Sequence, residues 1–167
     1  MSKILLELTI QSYGTMEIEL YPEIAPNTVA NFMNYVKKGF YNGLIFHRVI
    51  KGFMIQGGGS NERSKPIKGE FNSNGFKNDL KHTKGVLSMA RTNDPNSATS
   101  QFFIMHKDSP HLDGSYAAFG KLISNLDIID KIASVPTNAY DQPITNVVIE
   151  KFVVKLDQSS LKDVVYV

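Results

Sequence analysis

The chain has 167 residues, of which 42% are hydrophobic and 20% are charged, and its formal net charge is +2 at pH 7. This length fits one domain with a sizeable core, and the ordinary composition excludes the disordered, collagenous and transmembrane classes. The absence of cysteine excludes disulfides, thiolate catalysis and cysteine-ligated zinc.

Charge patterning and the N-terminus limit the partners. No run of five or six like charges occurs, and no basic patch is interleaved with aromatic residues, so nucleic acid is not expected as a partner. The N-terminus enters a strand pattern without the apolar segment of a signal peptide, and no apolar run approaches ~18 residues. We therefore expect a cytoplasmic protein without a membrane partner. Nothing in the sequence demands more than a monomer.

The first predicted element is an N-terminal β-hairpin. Residues 4–10 and 15–20 are both strand-like, and apolar residues alternate with glutamates along the second run. This alternation is the period of a half-buried strand. Tyr13 and Gly14 lie between the two runs and predict the turn.

A helix is predicted next. Four apolar residues recur at the spacing of one helical face: Val29, Phe32, Met33 and Val36. Pro26 suits the first turn, Lys37 and Lys38 suit the negative end of the helix dipole, and Gly39 suits the C-cap.

The rest of the chain predicts six further strands and one further helix. The strands are expected at residues 45–50, 53–56, 86–90, 101–105, 117–123 and 147–154. The second helix is predicted to begin at Asn125 as N-cap, with a buried stripe of Leu126, Ile129, Ile132 and Ala133. Long loops at residues 57–83 and 91–100 are typical of functional segments. We expect one domain over residues 1–157 and a short C-terminal tail over residues 158–167.

Eight strands and two helices in one domain predict a mainly β fold. We expect a closed eight-stranded antiparallel β-barrel capped by two α-helices, because an eight-stranded barrel has an interior that side chains just fill. The helices would then bury Phe32 and Ile129 against the barrel mouths. A filled barrel has no room for a ligand, so the ligand site should lie on the outer surface, among the long loops.

The sequence lacks the common catalytic, nucleotide-binding and metal-binding motifs. The chain has no GxSxG elbow, no HExxH, no Walker A sequence and no GxGxxG, and the Gly57-Gly58-Gly59 run reads as a plain turn. None of the four histidines is spaced to share a metal ion with another ligand: His47, His82, His106 and His111. No metal or cofactor is therefore expected.

One segment combines apolar residues with strong hydrogen-bond donors: residues 46–58, FHRVIKGFMIQGG. On a strand, Phe46 and Arg48 would share a face. A strand-turn-strand would gather Arg48, Phe53, Met54 and Gln56 into an apolar pocket with one guanidinium and one amide. Such a pocket favours ligand binding. The competing interpretations are a structural His47, core positions for Phe53 and Met54, and a buried ion pair for Arg48.

This segment closely resembles the signature of the cyclophilin family. Residues 85–90 (GVLSMA) and 100–104 (SQFFI) resemble the next two family motifs, and residues 112–114 (LDG) with Phe119-Gly120 resemble the fourth. The resemblance covers about residues 3–155, with the motifs in the family's order.

The resemblance implies a peptidyl-prolyl cis/trans isomerase that assists protein folding and binds Xaa-Pro peptides in an outer groove. Arg48 would be the catalytic arginine. The other matched positions would bind substrate: Phe53, Met54, Phe103 and Leu112 form the proline pocket; Gln56 and Gln101 contact the peptide backbone; Ala90, Arg91 and Thr92 lie beside the residue preceding proline; His111 and Tyr116 complete the rim.

Three matched positions depart from the commonest family form. His111 stands where the family often has Trp or Phe, Tyr116 where it often has His, and Arg91 where it often has Asn. The first position supports binding of the inhibitor cyclosporin, so cyclosporin is expected to bind only weakly. Two other functions stay open: a non-catalytic proline-peptide binding module, and an assembly chaperone that uses the tail and the 57–83 loop.

Overall fold

A computed structural model describes residues 3–167. Eight strands and two α-helices follow one another in this order: β1 (Ile4–Ile10), β2 (Gly14–Leu20), α1 (Pro26–Lys37), β3 (Arg48–Ile50), β4 (Met54–Gly57), β5 (Val86–Met89), β6 (Phe102–Met105), β7 (Ala118–Leu122), α2 (Asp127–Ala133) and β8 (Ile149–Asp157). Short 3-10 helices span Asn72–Asn74 and Pro110–Leu112. No helix among the described residues is long and apolar enough to cross a membrane.

The strands form one antiparallel sheet in the order β3-β4-β6-β5-β7-β2-β1-β8. The prediction of a closed barrel is wrong, because the edge strands β3 and β8 do not pair within residues 3–167. The Val49 amide of β3 donates to Asp141 O at 2.7 Å instead of to β8. Next to this gap, residues 43–46 and 147–149 are joined by one isolated bridge, Ile45 to Val148, and by backbone bonds such as Phe46 N to Val147 O at 3.0 Å. The sheet is therefore a curled, open half-barrel.

The concave side of the sheet holds the main core. Every second residue of β1 is buried, as the alternating pattern requires. Phe32 of α1 lies at the centre and packs against four other rings at centroid distances of 4.9 to 5.5 Å: Tyr41, Phe102, Phe119 and Phe152. Ile129 of α2 is also fully buried in this core. Both helices thus cover the concave side of the open sheet, with Phe32 and Ile129 buried as predicted but not against the mouths of a closed barrel.

The helix ends differ in detail from the prediction. Gly39 follows the C-cap residue Lys38, and its positive φ of 69° ends α1. Asn125 is not the N-cap of α2, since that position is Leu126. Asn125 instead has a φ of 54° and donates from Nδ2 to Thr15 O at 2.7 Å. Its side chain therefore joins α2 to the hairpin.

The strand ends also shift. β3 begins at Arg48, three residues later than predicted, because residues 46 and 47 are irregular. Phe46 is buried in the core whereas Arg48 is exposed, so the expected shared face is wrong. β8 runs three residues beyond the predicted end, to Asp157. Residues 158–167 form no regular element.

Candidate active site

A second apolar cluster lies on the convex side of the sheet, separate from the main core. Along β6 the residues alternate between the two: Phe102 and Ile104 belong to the main core, Phe103 and Met105 to the second cluster. Its buried members are Met54, Val86, Phe103, Met105, Leu112 and Ala118, and its partly buried members are Ile50, Phe53, Leu80, Ala90 and Tyr116. All four residues predicted for the proline pocket are therefore together on the outer face.

Strand register places Arg48 beside this cluster. Arg48 of β3 lies opposite Gln56 of β4, which lies opposite Phe103 of β6, so the three side chains form a row on one face. The Arg48 side chain is exposed, and within residues 3–167 it enters no ion pair. A buried structural ion pair for Arg48 is thus wrong, and its guanidinium faces solvent next to the apolar patch.

The turn between β3 and β4 is held by His106, a residue that sequence reasoning did not assign to the site. Gly52 N donates to His106 Nδ1 at 2.9 Å, and His106 Nε2 then donates to Asp130 Oδ1 at 3.0 Å. The His106 backbone N–H also donates to Phe53 O at 2.9 Å. His106 therefore fixes the turn that carries Phe53. Nothing local in the sequence reveals this role, because the end of β6 and the turn between β3 and β4 meet only in the folded sheet.

Two glutamine amides lie next in the groove. Gln56 Nε2 donates to Gln101 Oε1 at 3.0 Å, and Gln101 O accepts from Ala90 N at 3.0 Å. Gln101 thereby connects the Arg48 row to the segment after β5. These amides are polar groups in an otherwise apolar groove, the combination that favours ligand binding.

Aromatic contacts form the rim. The exposed His111 ring lies 5.6 Å from the Phe53 ring between centroids, and the Tyr116 ring meets Phe103 edge-on at 5.7 Å. Leu112 follows His111 and precedes Tyr116 in the sequence, and its side chain is buried in the outer cluster. The 111–116 segment therefore forms one wall of the groove.

A buried histidine supports the Phe103 ring from below. The His82 ring stacks on Phe103 at 6.1 Å, its Nδ1 donates to Asp113 Oδ1 at 3.1 Å, and its Nε2 accepts from Ser88 Oγ at 2.9 Å. Burial lowers the pKa of His82, and the neighbouring Asp113 carboxylate offsets only part of this effect. His82 is thus a neutral support beneath the pocket, which the sequence search for metal ligands did not identify.

In the segment after β5, residues 90–92, only Ala90 packs on the outer cluster, whereas the side chains of Arg91 and Thr92 bond to other parts of the protein. The Thr92 hydroxyl donates to Ser97 Oγ at 2.8 Å and is engaged within its own loop. Arg91 holds its guanidinium 4.9 Å from the Phe71 ring and 4.5 Å from the Tyr116 ring, and Nη2 donates to Ser115 O at 2.6 Å. The Arg91 side chain is therefore engaged in internal contacts.

Comparison with known proteins decides the family. The model of the cyclophilin type peptidyl-prolyl cis-trans isomerase family matches residues 5–154. The chain belongs to the cyclophilin family. This cyclophilin is 54% identical over 138 residues to a peptidyl-prolyl cis-trans isomerase of Acinetobacter baylyi, covering 76% of this chain and 71% of the relative. It is 42% identical over 161 residues to peptidyl-prolyl cis-trans isomerase B of Escherichia coli, covering 86% and 95% of the two chains.

Solved structures agree with the fold. A cyclophilin type peptidyl-prolyl cis-trans isomerase of Cryptosporidium parvum superposes with a TM-score of 0.82 at 30% identity, covering 93% of this cyclophilin and 99% of that chain. A second structure of that protein, in the presence of the dipeptide Ala-Pro, gives a TM-score of 0.81 at 31% identity, covering 92% and 99%. The open, curled sheet with two helices is thus the cyclophilin-like fold.

Proposed function

We propose that this peptidyl-prolyl cis-trans isomerase works at the outer groove, with Arg48 as its catalytic residue. One observation carries the proposal: the exposed Arg48 guanidinium stands in one row with Gln56 and Phe103, at the edge of the apolar cluster. A cation without an ion-pair partner beside an apolar pocket is available to a ligand. The same row contains what an Xaa-Pro peptide needs, namely a ring pocket, amides and one strong donor.

The reaction needs no bond to be broken. Rotation about the peptide bond faces a barrier of ~18–20 kcal/mol, because the twisted amide loses its resonance. An uncatalysed Xaa-Pro bond therefore takes tens to hundreds of seconds. In the twisted state the prolyl nitrogen becomes pyramidal and gains a lone pair. A donor aimed at that nitrogen, or at the proline's own carbonyl, stabilises the twisted state over the planar one.

Arg48 suits this task because a guanidinium stays charged and presents several directed donors. The apolar wall of Phe53, Met54, Phe103 and Leu112 would hold the proline ring. It would also exclude water, which strengthens the guanidinium's interaction with the substrate. Gln56 and Gln101, joined at 3.0 Å, would bind the peptide backbone. Lowering the barrier by about 7 kcal/mol in this way would accelerate rotation roughly 10⁵-fold.

Proline-containing peptides and proteins are the proposed substrates, which is consistent with a role in protein folding. The structure of the Cryptosporidium parvum relative in the presence of Ala-Pro supports this substrate class. Weak cyclosporin binding is proposed because His111 at the rim offers a small polar ring in place of a large apolar one. A monomer in the cytoplasm stays a prediction.

The proposal is tested with a short Ala-Pro-Phe peptide, whose cis-to-trans exchange is followed by exchange NMR. We expect fast exchange with the wild type and a loss of roughly 100-fold or more in kcat/KM for Arg48→Ala, a typical result of removing one preorganised donor. Lys51→Ala is the matched control, because Lys51 is an exposed cation in the adjoining turn. It should retain wild-type activity.

Two outcomes would contradict the proposal. Full activity of Arg48→Ala would remove Arg48 from the mechanism. Peptide binding by the wild type without faster exchange would favour the binding-module function, since affinity would then exist without catalysis.

A further inference from the structure

The Arg91 side chain bridges three segments that are distant in sequence. Its guanidinium lies between the rings of Phe71 and Tyr116, at 4.9 and 4.5 Å from the centroids. Nη2 donates to Ser115 O at 2.6 Å and Nη1 to Thr92 O at 2.9 Å. A planar cation between two rings, with directed bonds to carbonyl oxygens, uses properties that lysine lacks.

The same contacts reach the proline pocket. Tyr116 touches Arg91 on one side and packs edge-on against Phe103 at 5.7 Å. Ser115, whose carbonyl oxygen accepts from Arg91, donates its own N–H to Leu112 O at 3.0 Å. Arg91 therefore fixes both the Tyr116 ring against Phe103 and the turn that follows Leu112. Two of the four proposed pocket residues depend on this one guanidinium.

The geometry around Nε supports a fixed position. Among the described residues, Arg91 Nε is buried without a hydrogen-bond partner. Leaving a buried donor unpaired is unfavourable, so the two rings and the two carbonyl bonds must outweigh that cost. A side chain held in this way cannot swing out to a peptide without losing these contacts. It can still act on substrate through the pocket wall.

We propose that Arg91 is a positioning residue that sets how tightly the proline ring is held. The proposal rests on the outer groove being the substrate site. The pocket wall grips the ring in the planar and the twisted peptide alike, because the ring itself does not change during rotation. Interactions of equal strength in both states change KM and leave kcat unaltered. Arg91 should therefore act on KM, whereas Arg48 acts on the twisted state.

The test compares kcat and KM for the same Ala-Pro-Phe peptide in the full chain. Arg91→Met keeps the length of the side chain but removes its charge and its donors. We expect KM to rise roughly tenfold with kcat within about twofold, because the Tyr116 ring and the Ser115 carbonyl, the two contacts that lead to the pocket, lose their charged partner. Arg91→Lys should resemble Arg91→Met, because an ammonium lacks the fork and the stacking plane. Arg63→Met is the matched control, since Arg63 is exposed, and should match the wild type.

A second pair of variants tests the route to the pocket. Tyr116→Leu removes the ring that contacts both Arg91 and Phe103, so it should raise KM. Combining Tyr116→Leu with Arg91→Met should raise KM by much less than the product of the two separate increases, because both remove the same contact. If Arg91→Met does not fold, Arg91→Lys takes its place in this comparison.

The outcomes separate cleanly. Unchanged KM in Arg91→Met, or a fall in kcat alone, would overturn the positioning role. An equal rise in KM in the control Arg63→Met would also overturn it. If the wild type lacks isomerase activity, the proposed function fails, and NMR titration with the same peptide still tests Arg91 through Kd. A Kd equal to that of the wild type would then overturn this inference.

Discussion

Arg48 and Arg91 border the same groove in opposite states. Arg48 stands on the three-residue edge strand β3 with its side chain exposed and no ion pair among the described residues. Arg91 lies between two aromatic rings and donates to two carbonyl oxygens. The fold leaves one guanidinium free for a ligand and uses the other as part of its structure. Residue type alone does not distinguish these roles.

The contrast extends to the surroundings of each arginine. On the Arg91 side, Glu70 next to Phe71 in sequence and His82 beneath Phe103 are buried and hydrogen-bonded within the fold. Near Arg48, Lys51 is exposed. We therefore expect loss of the Arg48 side chain to reduce the rate, and loss of a buried, hydrogen-bonded side chain such as Glu70 to reduce stability first.

The largest effect is expected for Arg48→Lys. An ammonium keeps the charge but loses the directed fork, so kcat/KM should fall roughly 100-fold. Stability should change by less than about 0.5 kcal/mol, because the side chain is exposed. Exchange NMR gives the rate and thermal unfolding gives Tm. An unchanged kcat/KM would show that charge alone suffices, and a large fall in Tm would show that Arg48 is structural after all.

Glu70→Ala should have the next largest effect, and on stability. Helix α1 has Ala25 as its N-cap, which offers no side-chain acceptor, and Glu70 caps it from a distant loop. Glu70 Oε1 accepts from Thr28 N and from Thr28 Oγ1, both at 2.7 Å, and Oε2 accepts from Asn27 N at 3.3 Å. Losing these bonds should cost about 2–3 kcal/mol, measured by urea unfolding.

Two further substitutions sharpen that result. Glu70→Gln keeps one carbonyl acceptor and should lose less stability than Glu70→Ala. Glu62→Ala removes an exposed glutamate and should change the free energy of unfolding by less than about 0.5 kcal/mol. At temperatures well below Tm, kcat/KM of Glu70→Ala should stay within about twofold of the wild type. A selective loss of rate without loss of stability would contradict the division between the two sides.

Local sequence patterns were enough to predict those elements whose residues are close together in sequence, namely β1, α1 and the β3–β4 segment. The strand-like run at residues 4–10 predicted β1 with its observed bounds, and the helical spacing of Val29, Phe32, Met33 and Val36 predicted the buried face of α1. The spacing of Arg48, Phe53, Met54 and Gln56 predicted the neighbourhood that β3 and β4 create. In each case, residues close in sequence determine the outcome.

What sequence reasoning missed depends on distant contacts. The sheet stays open where Val49 N donates to Asp141 O instead of to β8. These two residues are more than ninety positions apart, so no periodicity in the sequence predicts their contact. All four residues of β6 are buried, two on each side of the sheet, so its pattern hides the outer pocket. The state of Arg91 depends on Phe71 and Tyr116, and the support role of His82 depends on Ser88 and Asp113.

The stability of the fold should depend on pH because of His82. We expect this effect to be smaller than that of Glu70→Ala and larger than that of removing the C-terminal segment. Burial lowers its pKa in the folded state below the ordinary value of 6.5, so the unfolded chain binds the proton more readily. Stability is then fully present above the unfolded pKa and falls as pH drops through 6.5 towards the lower folded pKa. The groups facing the ring are Asp113, Ser88 and Phe103, with the His111 side chain nearby.

The measurement is the loss of Tm between pH 7.5 and pH 5. His82→Gln should lower Tm at pH 7.5, because it removes the stacked ring, and should reduce the further loss towards pH 5. His47→Gln is the necessary comparison, since burial and Arg48 also lower the pKa of His47 and produce the same sign. If His82→Gln retains the whole pH dependence while His47→Gln abolishes it, the effect belongs to the Arg48 side.

The smallest effect is expected for removal of residues 158–167. This segment is attached by backbone bonds from Gln158 N to Lys3 O at 2.8 Å and from Val167 N to Pro66 O at 2.9 Å. The Asn27 side chain donates to Val165 O and accepts from Val165 N, both at 2.9 Å. These exposed bonds each contribute about 1 kcal/mol or less, and ordering the segment costs entropy.

The segment also borders a cavity of about 910 Å³, which none of the proposed site residues lines. Truncation should therefore lower the free energy of unfolding by about 1 kcal/mol and leave kcat/KM unchanged. Asn27→Ala in the full chain should reproduce much of that loss, with the exposed Asn34→Ala as its matched control. Asn27 and Glu70 both act on the first turn of α1, and Phe71 next in sequence packs on Arg91. A truncated chain with raised KM and normal kcat would mean that this route connects the tail to the proline pocket.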